Sequence, residues 1–130
     1  PLHAALDRFY TDLNKFYLSN PALYGDDDGW DGFEWLAADD KDDNIVAFIR
    51  RYNGEEIVAI VSFSGADKEY RLGIGEGTYE VVFRSDKKIY GGEEKTKKRV
   101  YKTERVPSHG KARSIGIFMP KLSFVYLKRK

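Results

Sequence analysis

The chain has no cysteine, a single methionine (Met119) and two histidines (His3 and His109) in 130 residues. Without cysteine there are no disulfides and no thiolate sites, which suits a reducing compartment, and a cytoplasmic protein is expected. Two histidines with no cysteine argue against a zinc centre. No window is apolar enough to span a bilayer, so no membrane partner is expected, and no apolar run follows a basic start as a secretory signal would require. The sequence shows no internal repeat and no low-complexity tract. A composition that is 42% hydrophobic and 33% charged excludes disorder, and the length fits one domain with one core.

What is present is unevenly placed. The net charge is +1, yet residues 1–44 hold eleven acids against three bases, while residues 85–113 hold ten bases against four acids. The acids concentrate in "DDDGWDGFEWLAADDKDDN", residues 26–44, around Trp30 and Trp35. A calcium loop of the EF-hand type fails in both registers. Starting at Asp26, Trp30 and Asp31 occupy the fifth and sixth positions; starting at Asp39, Lys41 takes the third and Arg50 the twelfth. Glu34 with Asp31 or Asp39 offers carboxylate pairs, but nothing in the sequence fixes the separation that glycosidase chemistry needs. Ser108-His109-Gly110 sets a hydroxyl beside an imidazole without a third triad member or a G-x-S-x-G turn, so a turn or interface role is expected for His109. No metal site and no cofactor is expected.

In "LHAALDRFYTDLNKFYLSNP" the residues Leu2, Leu6, Phe9, Leu13 and Phe16 form one apolar stripe of an amphipathic helix that Asn20-Pro21 stops. A lone helix of this length is marginal in water, so the stripe must rest on something. From residue 44 onward the pattern is strand-like. "NIVAFIRRY" and "EIVAIVSF" flank the hairpin signal Asn53-Gly54, and "EYRLGI", "GTYEVVFRS", "KRVYKTERV", "RSIGIFMP" and "LSFVYLK" follow. Seven short runs with no helical pattern between them predict an antiparallel β-sandwich behind one N-terminal helix, a mainly β protein in which "IVAFI" and "IVAIVSF" are central strands. In the acidic segment, Phe33, Trp35 and Leu36 are expected to anchor the loop, with Trp35 buried. Trp30, among Asp28, Gly29, Asp31 and Gly32, is the exposed tryptophan.

Several segments carry a family resemblance across nearly the whole chain. "FYTDLNKFYLSNPALY", "GFEWLAADDKDDNIVAFIRR", "YRLGI", "SDKKIYGG" and "SHGKARSIGIFMP" resemble, in order and spacing, the C-terminal end of bacterial-type α-1,4-glucan branching enzymes of the α-amylase superfamily. Gly32-Phe33-Glu34-Trp35 followed by Asp39-Asp40 is the most specific element. Ser62-Phe63-Ser64-Gly65 departs from the Asn-Phe-Thr-Pro-like turn of that family, and the lysine-rich stretch after Gly91-Gly92 departs from its glycine-rich loop.

The resemblance implies that residues 1–20 are the terminal helix of a catalytic (β/α)8 barrel, 21–44 an acidic linker and 45–130 the C-terminal β-sandwich. The chain would then be a piece of a longer protein that moves α-1,4-glucan segments onto 6-hydroxyls in glycogen biosynthesis, through a covalent glycosyl-enzyme and without metal or nucleotide. The catalytic aspartates and glutamate of that family lie on barrel strands, so none is expected here. Leu2, Leu6, Phe9, Leu13, Phe16 and Phe33 are the implied domain-interface residues, facing the chain's own upstream barrel. Trp30 and Trp35 are the implied α-glucan contacts, and an uncovered helix stripe would make the fragment self-associate. Two other readings stay open: an autonomous carbohydrate-binding module using both tryptophans, and a nucleic-acid-binding hairpin using Lys95, Lys97, Lys98 and Arg99. The first reading expects no nucleic acid.

Overall fold

A computed structural model of the chain describes residues 2–19, 33–40, 44–52, 54–93 and 98–130; the side chains of residues 2, 3, 5, 6, 10, 16, 17, 38–40 and 52 are outside that description. A helix, α1 (Leu2–Ser19), precedes eight strands: β1 (Phe33–Asp40), β2 (Ile45–Tyr52), β3 (Glu55–Ser62), β4 (Lys68–Gly73), β5 (Thr78–Arg84), β6 (Val100–Lys102), β7 (Ser114–Met119) and β8 (Phe124–Arg129). A 3₁₀ turn, Lys88–Tyr90, lies between β5 and β6. All seven runs expected from the sequence are strands.

The strands form two antiparallel sheets, one of six strands in the order β1-β2-β3-β8-β5-β6 and one of two, β4-β7. The hairpin between β2 and β3 closes where Tyr52 faces Glu55, and Gly54 supplies the left-handed φ of 81° that such a turn requires. Asn53 lies outside the described residues. The core fills the space between the sheets. Ile45, Ala47, Ile49, Val58, Ile60, Tyr79, Val81, Val125 and Leu127 of the large sheet meet Tyr70, Leu72, Ile115, Ile117 and Met119 of the small one, all nearly sealed from solvent. Strand alternation produces this face, and it also dictates an opposite one.

That opposite face is aromatic rather than polar. One cross-strand row runs Trp35↔Phe48, Phe48↔Ala59, Ala59↔Tyr126 and Tyr126↔Phe83 across five strands. A strand apolar on both faces, such as "IVAFI", has a second apolar face that calls for cover of its own.

Two expectations change here. Residues 33–40, read as the end of the linker, are an edge strand of the large sheet. Trp35, expected to be buried, is 52% exposed, and Leu36 at 7% and Ala37 at 4% are the buried residues. The cause is local. A register irregularity between Trp35 and Ala37 turns both Leu36 and Ala37 toward the core and leaves Trp35 on the outer face.

The helix stripe is also placed differently. Phe9 sits on this chain's own sheet, with ring centroids 5.9 Å from Phe83, 5.2 Å from Tyr90 and 5.8 Å from Phe124. Leu13 is half-buried. The side chains of Leu2, Leu6 and Phe16 are outside the description. With Phe9 covered, the stripe has less apolar surface to offer to a second chain. Removing residues 1–18 should uncover Phe83 and Phe124 and raise association in light scattering. A truncated chain that associates less than the parent would show that Phe9 does not hold this seat in solution.

Candidate functional site

The outer face of the large sheet divides into a covered half and an open half. On the covered half, Phe83 and Phe124 stack at 5.9 Å with their planes 11° apart, Phe83 stacks on Tyr90 at 5.9 Å, and Phe9 closes the cluster from α1. Tyr90 also donates its hydroxyl to Asp12 Oδ2 at 2.7 Å. Burial, reinforced by that bond to a carboxylate, pushes the Tyr90 phenol up to about 12. The same hydroxyl holds the Asp12 carboxyl below its ordinary value, and Arg8, one helical turn away at 3.1 Å, adds to the effect.

The backbone around Tyr90 explains "SDKKIYGG". Gly91 ends the 3₁₀ turn at a φ of 88°, and a Cβ on Gly92 would lie 2.2 Å from the Asp86 carbonyl oxygen. Asp86 is itself fixed by a buried fork with Arg84, at 2.7 and 3.2 Å. Tyr90 is thus aimed at α1 by a loop folded tightly on itself.

On the open half, Phe33 stacks on Phe48 at 5.2 Å, and Trp35 stands edge-on to both, 5.1 Å from Phe33 and 5.9 Å from Phe48. Two perpendicular contacts fix the indole while half of it meets solvent. Beside this patch, Glu34 accepts from Arg51 at 2.9 Å and from Lys111 at 3.0 Å. The Arg51 bond, and then the Lys111 bond, hold the Glu34 carboxyl below its usual range. An ionised carboxylate paired twice ties β1 to β2 and to the loop before β7; it does not serve as a proton donor near neutral pH.

Of the residues singled out in the sequence, the structure therefore brings Phe33 and Trp35 together on one patch and places Phe9 on the same face. Trp30, Asp26, Asp28 and Asp31 lie outside the described residues, as does the side chain of Asp39. Among the described residues no group of three or more His, Cys, Asp and Glu side chains is placed to hold a metal ion. His109 is a turn clamp. Its Nδ1 accepts the Gly73 amide at 3.0 Å, so the neutral ring carries its proton on Nε2, 3.1 Å from the Tyr70 hydroxyl. Of the basic hairpin, Lys95 and Lys97 lie outside the description, and Lys98 stands 4.7 Å over the Tyr101 ring. Phe48, Phe83, Phe124 and Tyr90 were missed in the sequence. The only signal for the first three was the excess of large apolar residues at positions that alternation turns away from the core.

Comparison with known proteins gives a consistent picture. The family described as alpha amylase, C-terminal all-beta domain, matches residues 35–130. A 1,4-alpha-glucan branching enzyme of Aliivibrio fischeri is 38% identical, over 98% of this chain and 18% of its own length. The enzyme of the same name from Photobacterium profundum is 35% identical, over 100% of this chain and 19% of its own. The chain thus spans about a fifth of the curated relatives it matches. Among solved structures, the alpha-amylase from H. orenii superimposes with a TM-score of 0.56 at 16% identity, covering 93% of this chain and 20% of that one.

Proposed function

We propose, for a chain that belongs to the alpha-amylase C-terminal all-beta domain family, that it is the non-catalytic end of a 1,4-α-glucan branching enzyme and that its outer sheet face seats the rest of that enzyme. The protein it completes would cleave an α-1,4-glucan, hold the fragment as a covalent glycosyl-enzyme and pass it to a 6-hydroxyl. The carboxylates for that chemistry belong to the barrel, not to this chain.

One observation carries the seat: the aromatic row from Trp35 to Phe83. At its β5 end it is covered by α1, which the family resemblance assigns to the barrel. At its β1 end Phe33, Trp35 and Phe48 continue the same surface. A sheet face that is covered at one end and apolar at the other is the geometry of an interdomain contact. A second reading, α-glucan stacked on Trp35, draws on the 52% exposure of that indole.

The test is a chimera in which the C-terminal fifth of the Aliivibrio fischeri enzyme is exchanged for this chain. The isolated chain should leave the iodine colour of amylose unchanged, while the chimera should shift it as branches form. Trp35→Asp should leave the melting of the isolated chain nearly unmoved, as an exposed site allows, and lower that of the chimera by several degrees. Equal melting of chimera and Trp35→Asp chimera would overturn the seat. Loss of glucan binding with melting unaffected would favour the second reading.

A further inference from the structure

The six-stranded sheet ends in two edges, β1 and β6, and they differ. Register irregularities follow Trp35 and Ala37 in β1, and such breaks spoil an edge for a further strand. The edges of the small sheet are taken. Ser108 Oγ donates to the Arg71 carbonyl of β4 at 3.3 Å, and His109 Nδ1 receives the Gly73 amide at 3.0 Å. On β7, Ser114 exchanges both backbone bonds with Glu104, at 2.8 and 3.1 Å.

β6 is regular and open. The Val81 amide donates to the Arg99 carbonyl at 2.7 Å, Tyr79 faces Tyr101, and the Thr103 amide donates to the Gly77 carbonyl at 3.0 Å. Residues 99, 101 and 103 therefore turn their backbone groups to β5, and antiparallel alternation turns those of Val100 and Lys102 away from it. Among the described residues, neither Val100 nor Lys102 has a backbone partner on that side. Val100 is 44% exposed, and Lys102 is exposed as well. The N–H and C=O groups of both residues thus stand as a short open ladder.

Charge selects the strand that fits it. Lys98, Arg99, Lys102 and Arg105 flank the ladder, all exposed, and Glu104 is the one acid in that run. Glu104 is held by Arg71 at 2.8 Å, and Glu80, opposite Val100 on β5, by Lys130 at 3.2 Å. Arg99, Lys102 and Arg105 make no side-chain hydrogen bond or ion pair among the described residues. Unpaired cations on an edge repel a second copy of the same edge and attract an acidic strand. They belong to the lysine-rich stretch in which the sequence departs from the family resemblance. A nucleic acid would meet the cations and pass over the ladder, whereas a peptide backbone uses both.

We infer that the β6 edge takes up an extended acidic peptide as a further strand of the large sheet. Its backbone would bond to Val100 and Lys102, with an apolar side chain beside Val100 and carboxylates beside Arg99, Lys102 and Arg105. This edge lies across the whole sheet from the Trp35 patch, so the inference does not depend on the barrel seat.

The test is an amide-shift titration of the 130-residue chain with an acetylated and amidated peptide, Glu-Glu-Val-Thr-Val-Glu-Glu. The control is the same peptide N-methylated along its Val-Thr-Val core, equal in charge but unable to join a ladder. The plain peptide should move the amides of residues 98–102 most and slow hydrogen exchange at Val100 and Lys102. The methylated peptide should bind about tenfold more weakly, or worse, for want of the ladder bonds. Val100→Pro should weaken the plain peptide by a similar factor while the chain melts nearly as the parent does, because the N–H it removes bonds nothing within the protein. Lys102→Glu, at an exposed position, should weaken binding as much. Should Val100→Pro fail to fold, Lys102→Glu and the methylated peptide decide alone. Absence of binding, equal affinity for the two peptides, or shifts centred away from β6 would each overturn the inference. Tighter binding of a single-stranded oligothymidylate than of the peptide would overturn it too, and would assign the edge to nucleic acid.

Discussion

Replacing Arg84 by alanine is expected to destabilise the chain by about 3–5 kcal/mol, the cost of leaving one member of a buried ion pair without its partner. Arg84 and Asp86 are each 8% exposed, and their fork at 2.7 and 3.2 Å is the sole ion pair in the described residues with both side chains under a tenth exposed. The alanine variant would strand the Asp86 carboxylate under Pro120 and Ser123, where water reaches it poorly. The loop from Ser85 to Gly92 depends on the same residue, because the Gly92 backbone lies against the Asp86 carbonyl. Loss of the pair should therefore also loosen Tyr90 from α1, and the chain should bind more of a hydrophobic dye before it unfolds. An Arg84→Met, Asp86→Leu double variant should recover most of the stability, since an apolar pair of similar size needs no partner. Urea unfolding of the three proteins decides the matter. A single variant within about 1 kcal/mol of the parent would mean that solvent reaches the carboxylate.

Gly73→Ala is the second substitution with a large expected effect, roughly 3 kcal/mol or more. A Cβ at this position would fall 1.9 Å from the Ser108 carbonyl oxygen and 2.6 Å from its carbon. Backbone atoms cannot swing aside as a side-chain end can, so the 103–113 connection would have to lift from the small sheet. Lifting it breaks the bond from the Gly73 amide to His109 Nδ1 at 3.0 Å and the Tyr70–His109 contact at 3.1 Å. Gly65→Ala is the control, because a Cβ there has no atom within 4 Å. It should melt within about 0.5 kcal/mol of the parent. Similar melting of the two variants would show that the His109 turn is not clamped on Gly73.

These positions differ in how far they could be read in advance. The Gly54 turn was legible because a two-residue hairpin demands a left-handed φ wherever it occurs. Gly73 was not, because its requirement comes from a backbone segment 35 residues later in the chain, brought over it only by the tertiary fold. His109 was legible as a turn residue, but not the amide that it caps. Trp35 misled for a related reason. Phe33 and Leu36 beside it suggested an apolar anchor, yet a register irregularity two residues on decided which side chains turn inward.

The sequence by itself determined seven of the eight strands, the hairpin, the helix and the family resemblance. All of these depend on local pattern: alternation, turn residues, a stripe at helical spacing and motifs in order. Only the tertiary structure decided which apolar residues form the core and which form the outer aromatic row, because alternation assigns residues to faces without saying what covers each face. Tyr90 shows this most directly. Its partner Asp12 lies 78 residues away, and the bond between them exists only because α1 crosses the outer face where β5 and β8 present Phe83 and Phe124. Contacts of that range follow from how elements pack, and no local pattern encodes them.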